Sequence, residues 1–342
     1  MIRFPVNNSM FMLPKHVPES AWLGHIPFAG WLIEAMRPQI LVELGTHRGA
    51  SFLAFCQAIE TCAIPTKCYA VDTWQGDEHA GQYGDEIYFS LLDYQQRNYA
   101  DFAKLMRMRF EEAVEYFEDG SVDLLHIDGL HTYDAVQNDF ETWRAKLSAR
   151  GVVLFHDINV RERGFGVWKY WLALKDQFPS FEFIHTHGLG VILVGPDQPE
   201  MLLELCRASA SEEGQALVNR MFEHSGRLIT SIVDIGTLAR EQGRLADLLN
   251  HSQNSNTELS SRLDEFGAIE KELSSYKIMS DQKAHAAELQ ALVLHGCDEE
   301  VRRLNEKVVE VNVEIERMRS SLSWRLMSPL RAMRRMFVRG AK

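Results

Sequence analysis

The stretch ILVELGTHRGAS (residues 40–51) decides how this chain is read. An apolar run leads to Glu43, the chain turns through Gly45 and Gly49, and Phe52, Phe55 and Ile59 then recur at helical spacing. That order predicts a strand, a glycine turn and a helix. Such a unit cradles a nucleotide. Glycine lets the backbone approach a ligand that a Cβ would hold away, and the following helix aims free N–H groups and its positive dipole end at the same point.

Downstream the pattern repeats. CYAVD (68–72) reads as a second strand ending in a carboxylate, and residues 73–85, rich in Gly and acid and without periodicity, read as a loop over the ligand. A helix over 86–104, a strand at 105–109 and a short helix follow. VDLLHID (122–128) is the fourth strand, residues 133–147 a helix, GVVLFHD (151–157) the fifth strand and residues 167–178 a helix. FEFIHTH (181–187) and LGVILVG (189–195) meet at Gly188 with almost nothing between them, so they must pair as an antiparallel hairpin. Strands alternating with helices imply right-handed crossovers and a mostly parallel sheet covered on both faces. Residues 1–37, with Trp22, Trp31 and several prolines, form a lead-in that packs on the first strand or overhangs the site.

Composition sets the frame. The 342 residues suggest about two domains. With 46% hydrophobic and 25% charged residues, the chain has the make-up of a soluble globular protein. Five cysteines without a CxxC pair predict reduced thiols in a cytoplasmic protein and no zinc site. No apolar run of about 18 residues and no basic-then-apolar leader is present, so neither a membrane span nor export is expected. From Arg325 onward there are six basic residues and no acidic ones, leaving 30 basic against 48 acidic residues, a net −18, in the first 324. That acidic body argues against nucleic acid as a partner.

Beyond Gly195 the strand patterns stop. Residues 197–250 read as short helices, and 250–257 (NHSQNSNT) as a polar linker opening a segment, 251–322, that carries a coiled coil. Leu294, Cys297, Val301, Leu304, Val308, Val311, Ile315, Met318 and Leu322 alternate spacings of three and four, a heptad seam that predicts self-association or a helical partner over 294–322. In the tail, 323–342, Leu330, Met333, Met336 and Phe337 share a helical face while Arg331, Arg334, Arg335 and Arg339 lie largely elsewhere. A basic amphipathic helix of this kind suits an anionic membrane surface or an acidic groove.

In an open α/β sheet the ligand sits at the carboxyl ends of the strands. Those ends carry Glu43 to Gly49, Asp72, Asp128 to His131, and Asp157 to Asn159. The turn G-T-H-R-G is not the dinucleotide fingerprint G-x-G-x-x-G. Asp72 stands where a carboxylate meets ribose hydroxyls, in nicotinamide and S-adenosylmethionine sites alike. With Glu43 ahead of a G-x-x-x-G turn, S-adenosylmethionine is favoured. His131, with a reference pKa near 6.5, is the candidate general base, working beside Asp128. His126 and His156 lie within strand runs, and His185 and His187 on the sixth strand, so all four are expected to be structural.

VELGTHRG, YAVDTW, LLHIDGLHTYDAV and GVVLFHD, in this order and spacing, resemble class I S-adenosylmethionine-dependent methyltransferases, specifically the branch of catechol-type and macrolide-sugar O-methyltransferases. The resemblance covers residues 38–196. It implies a Rossmann-like seven-stranded sheet of order 3-2-1-4-5-7-6 with strand seven antiparallel. It also implies that Glu43, Gly45 and Gly49, with Thr46 beside them, bind the methionine end of the cofactor, and Asp72 with Thr73 its ribose. Asp128 and Asp157 fall where catechol-type enzymes hold Mg²⁺ or another divalent cation. The family has Asn directly after the second Asp, whereas here that position is Ile158 and Asn159, one residue further on, is the candidate third ligand. His131 stands where those enzymes carry a catalytic lysine.

Methyltransferase-like domains with coiled-coil extensions and an SLSWRL-type tail resemble bacterial surface-polysaccharide proteins. The reading is therefore a cytoplasmic O-methyltransferase acting on a sugar or glycan hydroxyl, peripheral at the inner face of the membrane. Two alternatives stand beside it: a scaffold organised by its coiled coil, and a nicotinamide-dependent sugar oxidoreductase.

Overall fold

In a computed structural model, the structure describes residues 4–77, 81–162, 164–276 and 283–320. The chain divides into two compact units, residues 1–233 and 234–342.

The first unit is built on a seven-stranded sheet. Its strands are β1 (Ile40–Leu44), β2 (Lys67–Asp72), β3 (Ala103–Arg107), β4 (Val122–Ile127), β5 (Leu147–His156), β6 (Ser180–Phe183) and β7 (Leu189–Leu193). They stand in the order β3-β2-β1-β4-β5-β7-β6, parallel except that β7 is antiparallel to both β5 and β6. This is the sheet expected from the sequence. Its centre is apolar on both sides because parallel strands are covered by helices on both faces. Leu41, Ala70, Leu124 and Leu154 face one layer, formed by α1 (Ile26–Met36), α2 (Ala50–Thr61), α3 (Asp85–Tyr99), α7 (Glu200–Ala208) and the start of α8 (Glu212–Tyr276). Val42, Val71, Leu125 and Val153 face the other, formed by α4 (Phe110–Ala113), α5 (Tyr133–Trp143) and α6 (Val167–Leu174). Each fully buried Phe or Leu in these layers contributes about 1.5–3 kcal/mol. The lead-in joins the core: Trp22, Phe28 and Trp31 are buried, and Phe222 on α8 packs edge-on to Phe28 and Trp31.

The turn between the last two strands differs from the expected form. β6 ends at Phe183, so His185 and His187 lie off the strand. Thr186, His187 and Gly188 all adopt positive φ, and the Thr186 hydroxyl meets Nε2 of the buried His25 at 2.7 Å. The chain thereby dips toward the end of β5.

In the second unit, α8 runs on to Tyr276 and α9 spans Lys283–Ser320. Residues 250–257, read as a linker, are helical, which corrects that boundary. The segment has no Gly or Pro, and its hydroxyls satisfy themselves on the helix's own carbonyls, Ser255 on His251 and Thr257 on Gln253, both at 3.0 Å. The predicted seam is the covered side of α9: Leu304 is buried, Cys297, Val301, Val308, Val311, Ile315 and Met318 are half-buried, and Leu294 is exposed. Residues of α8 from Leu248 to Arg262 and of α9 from Glu300 to Val311 line a shared cleft of about 570 Å³. Leu322 and the tail 323–342 lie outside the described residues. Among the described residues no helix is long and apolar enough to cross a membrane.

Candidate active site

The site lies along the carboxyl edge of the sheet, where strand order reverses at β1 and β4. Gly45 leaves β1 with φ +87°, and a Cβ there would stand 2.1 Å from the Asp128 carbonyl oxygen, so only glycine lets the exits of β1 and β4 touch. Gly49 closes the turn with a 2.8 Å hydrogen bond from its N–H to the Thr46 carbonyl and starts α2 at φ +81°. Asp72 accepts from the Thr46, His47 and Trp74 N–H groups at 2.9, 2.8 and 2.7 Å. Its carboxylate therefore staples the glycine turn to the end of β2 as well as bordering the cavity.

That cavity has a volume of about 460 Å³, within the range of small-molecule sites. Gly45, Thr46, Asp72, Thr73, Asp128 and His131, all singled out from the sequence, line it. Ala50 and Ser51 at the start of α2, Arg48, Tyr83, Arg109 to Glu111, and Glu19 and Ser20 from the lead-in complete it. Arg48 was legible within the glycine turn itself. Nothing in the local pattern marked Glu19, Ser20 or Arg109.

Glu43 and Gly49, expected at the cofactor, do not line this cavity. The pleat is the reason: Glu43 alternates with Val42 and Leu44, so its side chain enters the α2 face of the sheet rather than the strand end. There it is fully buried, with Oε2 2.9 Å from Nδ1 of His126, its register partner on β4. Nε2 of His126 accepts from the Trp22 indole at 3.2 Å, so Nδ1 carries the proton and donates it to Glu43. Gly49 is packed instead against Leu91, which would lie 2.5 Å from its Cβ.

At the ends of β4 and β5 the structure gathers charge. Nε2 of His131 lies 2.8 Å from Asp157 and 3.5 Å from Asp128. Nδ1 of His156 lies 3.1 Å from Asp128 and 3.4 Å from Asp157, and Nδ1 of His187 meets Asp157 at 2.9 Å. Asp157 turns the chain at φ +62° to bring this about. Burial alone would lower the histidines' pKa values and raise those of the carboxyls. The mutual charges and hydrogen bonds outweigh it, lifting His131 to about 9 and His156 to about 10 and holding Asp128 and Asp157 well below the carboxylate range.

One ligand atom each from Asp128, His131 and Asp157 lie within 4.8 Å of one another, a set able to hold a metal ion. Asn159, the expected third donor, lies two residues beyond Asp157 and is exposed. Ile158 is buried in the core beside β5, which turns Asn159 outward, where its amide donates to the Ile184 carbonyl at 3.0 Å. His187, read as structural on the sixth strand, instead touches Asp157.

Residues 42–158 match a family model described as a methyltransferase domain, a span that takes in the glycine turn and both carboxylate strand ends. An uncharacterised protein of Sinorhizobium fredii, y4gI, is 53% identical over 196 residues, covering 57% of this chain and 22% of that protein. The chain thus spans about a fifth of the length of this curated relative. Among solved structures, the SAH-bound methyltransferase PaMTH1 of Podospora anserina aligns with a TM-score of 0.40 and 15% identity over 52% of this chain and 79% of that one. The SAM-bound O-methyltransferase TomG of Streptomyces achromogenes aligns with a TM-score of 0.39 and 16% identity over 52% and 82%.

Proposed function

We propose that the chain is an S-adenosylmethionine-dependent O-methyltransferase whose acceptor is a sugar or glycan hydroxyl in surface-polysaccharide biosynthesis. The observation that carries the reading is the glycine turn: Gly45 clears the backbone, Thr46 presents a buried hydroxyl oxygen that has no hydrogen-bond partner, and α2 opens its N-terminus on the same cavity. These features fit a cofactor with a polar methionine end and a ribose, the latter against Asp72 and Thr73. The donor set of Asp128, His131 and Asp157 fits a divalent cation, which when bound would polarise the acceptor hydroxyl.

In the reaction the acceptor oxygen forms a bond to the methyl carbon while the carbon–sulfur bond breaks and its electron pair returns to sulfur. Asp128, which borders the cavity, accepts the hydrogen bond of the acceptor hydroxyl and takes its proton as the methyl group arrives, passing it on to solvent. Most of the acceleration is assigned to holding oxygen, carbon and sulfur in line. The seam of α9 would bring copies together or meet a helical partner. The basic tail would hold the enzyme at the inner face of the membrane.

The test is transfer of labelled methyl from S-adenosylmethionine to a panel of nucleotide sugars and lipid-linked glycans. Labelled sugar with equimolar S-adenosylhomocysteine is expected. Oxidation of a nucleotide sugar with NAD and no methyl transfer would refute the reading.

A further inference from the structure

We infer that His131 is the third donor at the strand-end metal position, making it a mixed oxygen and nitrogen site that takes a first-row transition cation in preference to Mg²⁺. This rests on the proposed divalent cation and goes further by naming its class.

The side chain directly after Asp157 is the buried Ile158, and Asn159 is exposed, its amide N–H donating to the Ile184 carbonyl at 3.0 Å and its backbone N–H to the His187 carbonyl at 2.8 Å. An imidazole nitrogen, that of His131, stands 2.8 Å from one carboxylate and 3.5 Å from the other. Two donors about 2.1 Å from a common cation lie roughly 3.0 Å apart at a right angle and 3.4 Å at the tetrahedral angle, so these spacings suit convergence on one ion. The donors are also held in place. The His131 ring stacks on Phe165 at 4.6 Å and 9°, and its carbonyl accepts from Gly166 N–H at 2.7 Å. His156 and His187 fix the two carboxylates from behind, as partners of metal ligands do.

Chemistry then selects the ion. Mg²⁺ demands oxygen donors and keeps its water, whereas imidazole suits Fe²⁺, Ni²⁺, Cu²⁺ and Zn²⁺, and the affinity of a mixed oxygen and nitrogen site rises from Mn²⁺ through Co²⁺ to Cu²⁺.

The experiment uses the full chain with S-adenosylhomocysteine present. Calorimetric titrations with Mg²⁺, Mn²⁺ and Co²⁺ are compared, and the Mn²⁺ complex is examined by electron–nuclear spin resonance for coupling to nitrogen. Mn²⁺ and Co²⁺ should bind at least about tenfold more tightly than Mg²⁺, with a nitrogen coupling that His131→Asp abolishes while narrowing the preference toward Mg²⁺. The wild-type spectrum decides the matter even if the variant fails to fold. Equal affinities without nitrogen coupling would overturn the inference and leave an oxygen-only cation site. Absence of all cation binding, with S-adenosylhomocysteine still bound, would overturn both it and the cation, and leave the methyltransferase reading standing.

Discussion

Two neighbouring edges of one sheet are organised by opposite means. At β1 and β2 the backbone does the ordering: Gly45 permits contact between strand exits, and three N–H groups converge on Asp72. At β4 and β5 the order comes from side-chain charge, with Asp128 and Asp157 held among His131, His156 and His187. The first edge is held by backbone groups gathered on a single carboxylate, while the second depends on which protons and ions a whole cluster of charged side chains holds. The first suits a site for a constant ligand, the second a site for chemistry.

The largest expected effect comes from breaking the second edge. Asp157→Ala leaves histidine charge buried without its carboxylate, and urea unfolding at neutral pH should show a loss of about 3–5 kcal/mol. Next is Asp139 on α5, beneath the same edge. Burial, and then Glu111, raises its carboxyl to about 7. A folded-state pKa above the unfolded one gives stability that is present below pH ~4 and lost as pH rises through ~7, at about 1.4 kcal/mol per unit. Asp139→Asn should therefore be more stable than the parent at pH 8 by roughly 4 kcal/mol and little different at pH 4, read from melts at both. Gly45→Ala tests the first edge. Strain at positive φ should cost about 1–3 kcal/mol and weaken S-adenosylhomocysteine binding, independently of pH. Least of all, Asn159→Ala, at an exposed position, should change stability by no more than about 0.5 kcal/mol and, with His131 as the third donor, leave cation binding intact.

The strand order and the final hairpin were legible because they rest on local signals, glycine turns and apolar runs ending in carboxylates. So were Gly45, Thr46, Asp72 and Asp128, each at a strand exit. The burial of Glu43 against His126 was not legible, because spacing along the chain does not say which face of a pleat a residue takes, and here Val42 and Leu44 point one way and Glu43 the other. The exposure of Asn159 was not legible because Asp157 takes a left-handed turn, which spacing does not reveal. His187 reaches Asp157 only through three consecutive positive-φ residues, and Glu19 and Ser20 reach the cavity only by long-range packing of the lead-in. The polar run 250–257 resembled a linker, but serine and threonine can satisfy their hydroxyls on helix carbonyls and stay helical.

The central claim is that the backbone-built edge seats S-adenosylmethionine. Its most direct measurement is chemical denaturation of the full chain with and without S-adenosylhomocysteine. At a hundred times its Kd the ligand should stabilise the fold by about 2.7 kcal/mol, an increment that Gly45→Ala at the same ligand concentration should sharply reduce. Stabilisation by NADH with no response to S-adenosylhomocysteine would contradict the account.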